Sequence, residues 1–401
     1  MEAVIVATAR SPIGRANKGS LVDVRPDDLS ATIVRALLDK VPALDPGEVE
    51  DVIWGCAQPA GESGYNIARI TAILAGIGHS PGTTVNRYCS SSLQTIRMAT
   101  HAIKAGEGDV FVAGGVETVS RFGKGMSDGM PGTHNPRFAS AEARTDERKS
   151  GDAGDWSPGE LPDVYIAMGQ TAENVAEHEH VTREEMDEFA ARSQNRAVEA
   201  QSNGFFEREI TPIERPDGTL VGKDDGPRAD TTVEKLAQLQ PVFRPNGTVT
   251  AGNACPLNDG AAAVLVMSEE RASALGIRPL ARVVASGVSA LDPEIMGLGP
   301  IEASRQALGR AKMSIDDIDL VEINEAFAAQ VIPSAKHLGI PWDKLNVNGG
   351  AIALGHPFGM TGARIMTTLL NGLEDRSARY GLETMCVGGG QGMAMIVERL
   401  S

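Results

Sequence analysis

Two side chains in this sequence have the types and settings of a nucleophile and its base. Cys89 lies in Asn86-Arg87-Tyr88-Cys89-Ser90-Ser91-Ser92-Leu93-Gln94, which reads as a strand-to-helix turn with the sulfur at a helix N-terminus. Backbone N–H groups and the helix dipole at such a place favour thiolate over thiol. A lone cysteine reads equally well as a small buried hydrophobe, so the assignment needs a partner base. His356 supplies a candidate in Gly349-Gly350-Ala351-Ile352-Ala353-Leu354-Gly355-His356-Pro357-Phe358-Gly359-Met360-Thr361-Gly362. It is framed by glycines on a turn, where backbone and ligand can approach closely; the plainer reading is a surface turn histidine. Cys386 ends a buried strand and runs into Val387-Gly388-Gly389-Gly390-Gln391-Gly392. A strand cysteine is structural by default, but N–H groups exposed in a glycine run can bind a developing oxyanion. Asn324, in Asn324-Glu325-Ala326-Phe327-Ala328, follows a strand and reads either as a helix cap or as a group that orients a water.

The elements that must position these groups recur. Residues 4–7 read as a strand, 29–40 as a helix, 45–50 as an acidic turn, 51–55 as a strand, 66–75 as a helix and 83–86 as a strand. A helix from residue 89 to 105 and a buried strand over 109–115 complete the series. The last third repeats that order: a strand over 281–286, a helix over 301–311, an acidic turn at 314–319, strands over 320–323 and 345–348, a helix over 362–370 and a strand over 385–389. Two similar halves imply an internal duplication, and its pseudo-twofold brings the Cys89 and His356 turns together. Between the halves lies an inserted segment, rich in Gly, Pro and charge over 123–162 and helical over 168–202, with a capping box at Thr182 and Glu185.

Bulk properties narrow the function classes. The chain has 401 residues, 42% of them hydrophobic, more than one core usually absorbs. Forty-five glycines and 4% aromatics suit a layered α/β protein. A net charge of -16 without a basic cluster argues against a nucleic-acid partner. Four scattered cysteines with no C-x-x-C pair indicate neither zinc nor disulfides, and reduced thiols fit a cytoplasmic location. The N-terminus lacks the basic start and apolar stretch of a secretory signal, and no stretch approaches the roughly 18 apolar residues of a membrane span.

Taken together, the Cys89, Asn324, Gly355-His356-Pro357 and Cys386–Gly392 windows resemble those of the thiolase family, in the family's order over nearly the whole chain. Val249-Thr250-Ala251-Gly252-Asn253 through Asn258-Asp259-Gly260-Ala261 extends the likeness. The resemblance implies duplicated βαβαβαββ halves in an α-β-α-β-α layered arrangement: residues 1–119, completed by about 251–270, then an inserted CoA-binding loop subdomain at 120–250, then 271–401. It implies thiolytic cleavage of a 3-oxoacyl-CoA, with coenzyme A as substrate, no prosthetic group, no metal, and a homodimer or homotetramer. Cys89 would carry the acyl group, His356 would activate it, and Cys386 would exchange the proton on the acetyl-CoA α carbon. His356 and a water held by Asn324 would face the enolate oxygen, while the N–H groups of Cys89 and Gly388 would hold the tetrahedral oxyanion. Arg228, Met168, Ala254 and Cys255 would meet CoA. Three positions depart from common family patterns: Cys255 replaces a serine, Ser92 a glycine, and Ala167 the histidine of short-chain acetoacetyl-CoA thiolases. The loss of bulk at Ala167 favours a roomier acyl pocket, hence a degradative enzyme over a short-chain one. A ketosynthase, a non-catalytic lipid-binding member of the fold and an unrelated cysteine hydrolase are the rival readings. The second cysteine in the glycine turn, the retention of Cys89 and His356, and the duplication weigh against them in turn.

Overall fold

The apolar run after Met1 and Glu2 forms an eight-residue strand with every residue buried, β1 (Ala3–Arg10). In this computed structural model, which describes residues 1–124, 130–151 and 155–401, there follow α1 (Pro26–Asp39), β2 (Asp51–Gly55), α2 (Ile67–Leu74), β3 (Gly82–Val85), α3 (Ser91–Ala105) and β4 (Val110–Thr118). The insertion contributes α4 (Ala139–Ser150), α5 (Met168–His178) and α6 (Arg183–Ser202) before β5 (Asn258–Ser268). The second half comprises β6 (Ala281–Ala290), α7 (Gly299–Ala311), β7 (Leu320–Ile323), α8 (Ala328–Leu338), α9 (Thr361–Asp375), β8 (Tyr380–Val387) and β9 (Gln391–Arg399). Part of the Gly- and Pro-rich stretch expected over 123–162, residues 125–129 and 152–154, lies outside the described residues.

Strand pairing makes the duplication explicit. The first half is ordered β3-β2-β4-β5-β1 and the second β7-β8-β9-β6, with the same sense at each corresponding step. Antiparallel pairs Val4–Arg282 and Ile5–Ala281 join β1 to β6, so the two sheets share a seam. Alternation along each strand sends side chains to opposite faces. Val110 and Val112 of β4 pack with Leu29, Ile33 and Leu37 of α1, while Phe111 and Ala113 pack with Leu93, Ile96 and Ile103 of α3. The inner cluster also takes Ile365, Met366 and Leu369 of α9, Met385 and Val387 of β8, and Met393 and Met395 of β9. Beyond the second sheet, Ala303, Ala307 and Leu308 of α7 and Val331, Ile332 and Ala335 of α8 cover Leu382 and Ile396. The result is the expected α-β-α-β-α layering, with α3 and α9 in the middle layer.

The strand expected over 345–348 is reduced to one bridge, Val321 to Leu345. Asn346 has φ +44° and folds its own amide back: its nitrogen donates to Ile323 O at 2.9 Å and its oxygen accepts from Ile323 N–H at 2.9 Å, so a side chain takes the place of the ladder. The strand over 385–389 begins earlier and stops at Val387, leaving Gly388 and Gly389 free to turn over the site. The helical stretch over 168–202 is two helices, the second opened by the Thr182–Glu185 capping box.

The insertion is tied to the sheet by charge. Arg10, fully buried at the end of β1, donates to Glu209 Oε2 at 2.8 Å and to Asp224 Oδ1 and Oδ2 at 2.8 and 3.0 Å. Removing one member of such a cluster strands buried charge. Arg10→Ala is expected to lower unfolding free energy by about 3–5 kcal/mol in denaturant titration; a loss under about 1 kcal/mol would contradict this account of how the insertion is held.

Candidate active site

Cys89 sits in a single 3-10 turn, Tyr88–Ser90, immediately before α3. The turn is sharp because Tyr88 has φ +43°, a conformation that costs a non-glycine residue energy and recurs at functional sites. Its supports are local: Tyr88 N–H donates to Asn86 Oδ1 at 2.9 Å, Arg87 N–H donates to Ser91 Oγ at 2.9 Å, and Asn86 Nδ2 donates to Ala57 O at 3.0 Å. Cys89 is only 8% exposed. The backbone N–H groups of Gly388 and of Cys89 itself act on its charge, the pair assigned to the oxyanion on sequence grounds. Both donors favour the thiolate, but burial outweighs them and pushes the thiol up to about 11. The expectation that the helix start leaves a resting thiolate is therefore corrected: the resting group is a thiol.

His356 is 1% exposed, on the turn that leads into α9. Asn258 fixes its backbone, accepting from His356 N–H at 3.0 Å while donating through Nδ2 to Gly14 O at 3.0 Å. Its ring nitrogens have different partners. Thr361 Oγ1 gives its one proton to Pro357 O at 2.8 Å, so its 2.6 Å contact with Nδ1 is accepted from an Nδ1–H. That assigns the tautomer and leaves a lone pair on Nε2, which accepts from Asn324 Nδ2 at 3.3 Å. Burial, helped by the Arg364 charge, lowers the imidazole to about 3, so it is neutral at physiological pH. Among the described residues the ring's hydrogen bonds go to Asn324 and Thr361 and not to Cys89. Asn324 is no helix cap; Phe327 stands at the cap position of α8, and the Asn324 side chain faces the imidazole.

Cys386 lies on β8, fully buried, with its sulfur 3.7 Å from the Gln330 side-chain amide. That amide is best oriented with its nitrogen donating to Asn324 O at 3.1 Å and its oxygen accepting from Val331 N–H at 3.3 Å. Burial pushes the Cys386 thiol well up, and the nearby Cys89 and Cys255 thiols add to the shift, so three sulfurs from different segments share one locality.

A cleft of about 370 Å³ opens above Cys89. Tyr88, Cys89, Ala57 and Gln58 line one side, Phe358, Gly388 and Gly389 another, and Thr133, His134, Tyr165, Ala167 and Met168 of the insertion the rest. Phe358 meets the His356 ring edge-on, centroids 5.1 Å apart. Of the residues expected at CoA, Met168 lines this cleft and so does Ala167. Ala254 is buried and bridges to Phe327, and Cys255, partly exposed, donates its N–H to Ala326 O at 3.0 Å. Arg228 is exposed and is not among the residues lining the cleft; its N–H donates to Gln194 Oε1. Sequence reasoning missed the residues that hold the others: Thr361, Asn258, Gln330 and Glu117. Ser92, noted only as a departure, accepts from Ala363 N–H at 2.9 Å and couples the starts of the two middle-layer helices.

A duplicated five-layer α/β fold with a cysteine elbow from one half facing glycine N–H groups and a buried imidazole from the other defines the condensing-enzyme class. Comparison with known proteins narrows this. The thiolase N-terminal domain family matches residues 3–270 and the thiolase C-terminal domain family matches 277–399. Proteins named 3-ketoacyl-CoA thiolase from Idiomarina loihiensis and Aeromonas hydrophila are each 46% identical, the first over 99% of both chains and the second over 100% of both. The crystal structure of the Bacillus anthracis acetyl-CoA acetyltransferase superposes with a TM-score of 0.85 at 40% identity, covering 100% of this chain and 99% of that one. The chain belongs to the thiolase family.

With the thiol near 11 and the imidazole near 3, no ion pair rests in the free protein. The iodoacetamide alkylation rate of Cys89, read by peptide mass, is expected to keep rising with pH while the protein stays folded. A plateau reached below about pH 8.5, the range of an ordinary cysteine, would contradict the burial argument.

Proposed function

We propose that this thiolase cleaves a 3-oxoacyl-CoA with CoA, releasing acetyl-CoA and a shortened acyl-CoA through an acyl group carried on Cys89. The observation that carries the reading is that Cys89 and Gly388, from opposite halves of the chain, line one cleft, with the backbone N–H groups of both acting on the Cys89 sulfur. When that sulfur becomes bonded to a carbonyl carbon, the oxygen develops charge within reach of the same two donors, which cost no reorganisation.

The proposed steps follow from the protonation states. Neutral His356 takes the Cys89 proton at Nε2 as the sulfur attacks the 3-oxo carbon, which is why a resting thiol is compatible with catalysis. The bond between the α and 3-oxo carbons then breaks, and its electron pair passes to the acetyl-CoA fragment as an enolate. Asn324 Nδ2–H and the newly protonated Nε2–H of His356 face the enolate oxygen. Cys386 donates its proton to the α carbon, and acetyl-CoA leaves. The Cys386 thiolate then takes the proton of the incoming CoA thiol, whose sulfur displaces the acyl group from Cys89, and His356 returns the first proton. Because the intermediate is itself a thioester, the acyl group stays activated throughout.

Three sectors complete the proposal: residues 1–119 with about 251–270, the insertion 120–250 as the CoA-holding part, and 271–401. The pairing of β5 with both β1 and β4 supports grouping 251–270 with the first half. Arg228, Met168, Ala254 and Cys255 are the proposed CoA contacts, with Met168 best supported because it lines the cleft. The proposed setting is degradation of fatty acids or related lipids, a reading supported by the names of the relatives; a cytoplasmic location and a homodimer or homotetramer are proposed with it from the family resemblance alone. No helix among the described residues is long and apolar enough to cross a membrane. Ala167 on the cleft wall favours the degradative reading over a short-chain acetoacetyl-CoA enzyme, since a methyl group leaves room beside Cys89.

Cys89→Ala is expected to abolish thiolysis and the active-centre iodoacetamide label; unchanged turnover would refute the nucleophile. Ala167→His is expected to narrow the acyl range, with kcat/KM for longer chains falling roughly tenfold or more relative to the shortest substrate. Profiling both forms against acyl chains of increasing length tests this, and identical profiles would count against the pocket argument.

A further inference from the structure

Glu117 takes no part in the thiol chemistry, yet its carboxylate is fully buried near the end of β4 and is bonded on both oxygens. Oε2 accepts from the N–H groups of Ala57 and Gly359, each at 2.9 Å; Oε1 accepts from Gln58 N–H at 3.2 Å and faces the Cys56 sulfur at 3.6 Å. Ala57 and Gln58 form the cleft wall beside Cys89. Gly359 follows Phe358, which lines the cleft from the other half and packs on His356. One carboxylate therefore binds the wall of the nucleophile to the turn of the base. The backbones meet so closely that a Cβ on Gly359 would collide with Val116 O, Gly55 O and Cys56 Cα.

We propose that Glu117 is a positioning residue for the thiolase reaction: its ionised carboxylate clamps the His356 turn against the Cys89 wall and so fixes the imidazole and Phe358 relative to the sulfur. This rests on the thiolysis reading given above. The ionised form matters because a carboxylate accepts on both oxygens, whereas the acid turns one oxygen into a donor that must oppose an N–H. Burial pushes Glu117 up to about 7, against the pull of its three N–H donors and the Cys56 thiol. The titratable groups facing it are the thiols of Cys56, after β2, and Cys89, before α3, both held above the usual range by burial and so neutral near pH 7; the His356 turn presents the Gly359 N–H. As the pH falls through about 7 the carboxylate takes up a proton and the clamp loosens, so turnover falls. As the pH rises again, turnover returns.

Two variants test this in the full-length protein. Glu117→Gln keeps the volume and one acceptor but cannot ionise, and its NH2 opposes an N–H. It is expected to lose roughly tenfold or more in kcat on a short 3-oxoacyl-CoA plus CoA, with little change in KM, and to show no step near pH 7. Cys56→Ala removes a donor that favours the carboxylate, so the midpoint of the step is expected to move up in pH while the clamp survives. A merely structural role would lower the melting temperature and leave these midpoints in place. The proposal is overturned if Glu117→Gln keeps the wild-type kcat and pH step or, should that variant fail to fold, if Cys56→Ala leaves the midpoint where it was. Hydrogen exchange at the Gly359 amide needs no substrate: loss of its protection below about pH 7 in the wild type, and not in Glu117→Gln, is the expected result, and protection independent of pH would sink the clamp. Absence of thiolysis by the wild type would instead sink the functional reading and leave the exchange result standing.

Discussion

The Cys89 sulfur, in a residue only 8% exposed and under the influence of two backbone N–H groups, is the centre around which the rest is arranged. One donor belongs to the elbow before α3, and the other to the glycine turn between β8 and β9, so neither half of the duplication could build the site alone. Burial keeps the thiol protonated, and the same burial keeps His356 neutral with its Nε2 lone pair available. The resting groups are thus both neutral, and in the proposed reaction they become charged only when substrate arrives, which would confine the stabilisation of charge to the reacting complex.

Such a site demands that backbone from the two halves be held within tenths of an ångström, and the supports are polar groups buried without solvent. Asn258 holds the His356 N–H, Thr361 selects its tautomer, Ser92 ties the start of α9 to α3, and Glu117 gathers three N–H groups from two loops. Each satisfies a backbone donor or fixes a ring that would otherwise be costly to bury. The glycines at 55, 115 and 359 serve the same end by letting main chains touch.

Much of this was legible beforehand, because periodicity and repetition leave clear marks. Strand 320–323 and the β-α-β order of both halves follow from apolar runs and acidic turns, and windows that match in order single out Cys89, His356, Cys386 and Asn324, which the fold brings to one locality. What could not be read was whatever depends on contacts across long separations. The strand expected over 345–348 fails because the Asn346 side chain occupies the ladder, a competition that propensity does not register. The thiolate expected at Cys89 fails because a helix-start argument weighs the donors and not the burial that opposes them. Glu117 passed unnoticed because a carboxylate on an apolar strand signals nothing until Gly359, far along the chain, is seen to donate to it.

The central claim is that Cys89, and no other thiol, receives the acyl group. Incubating the wild-type protein with a 3-oxoacyl-CoA in the absence of CoA, followed by peptide mass analysis, tests it directly. The account predicts a shortened acyl group on the peptide containing Cys89, with release of an equal amount of acetyl-CoA. Acetyl-CoA release with no adduct, or an adduct on Cys255 or Cys386 alone, would contradict it.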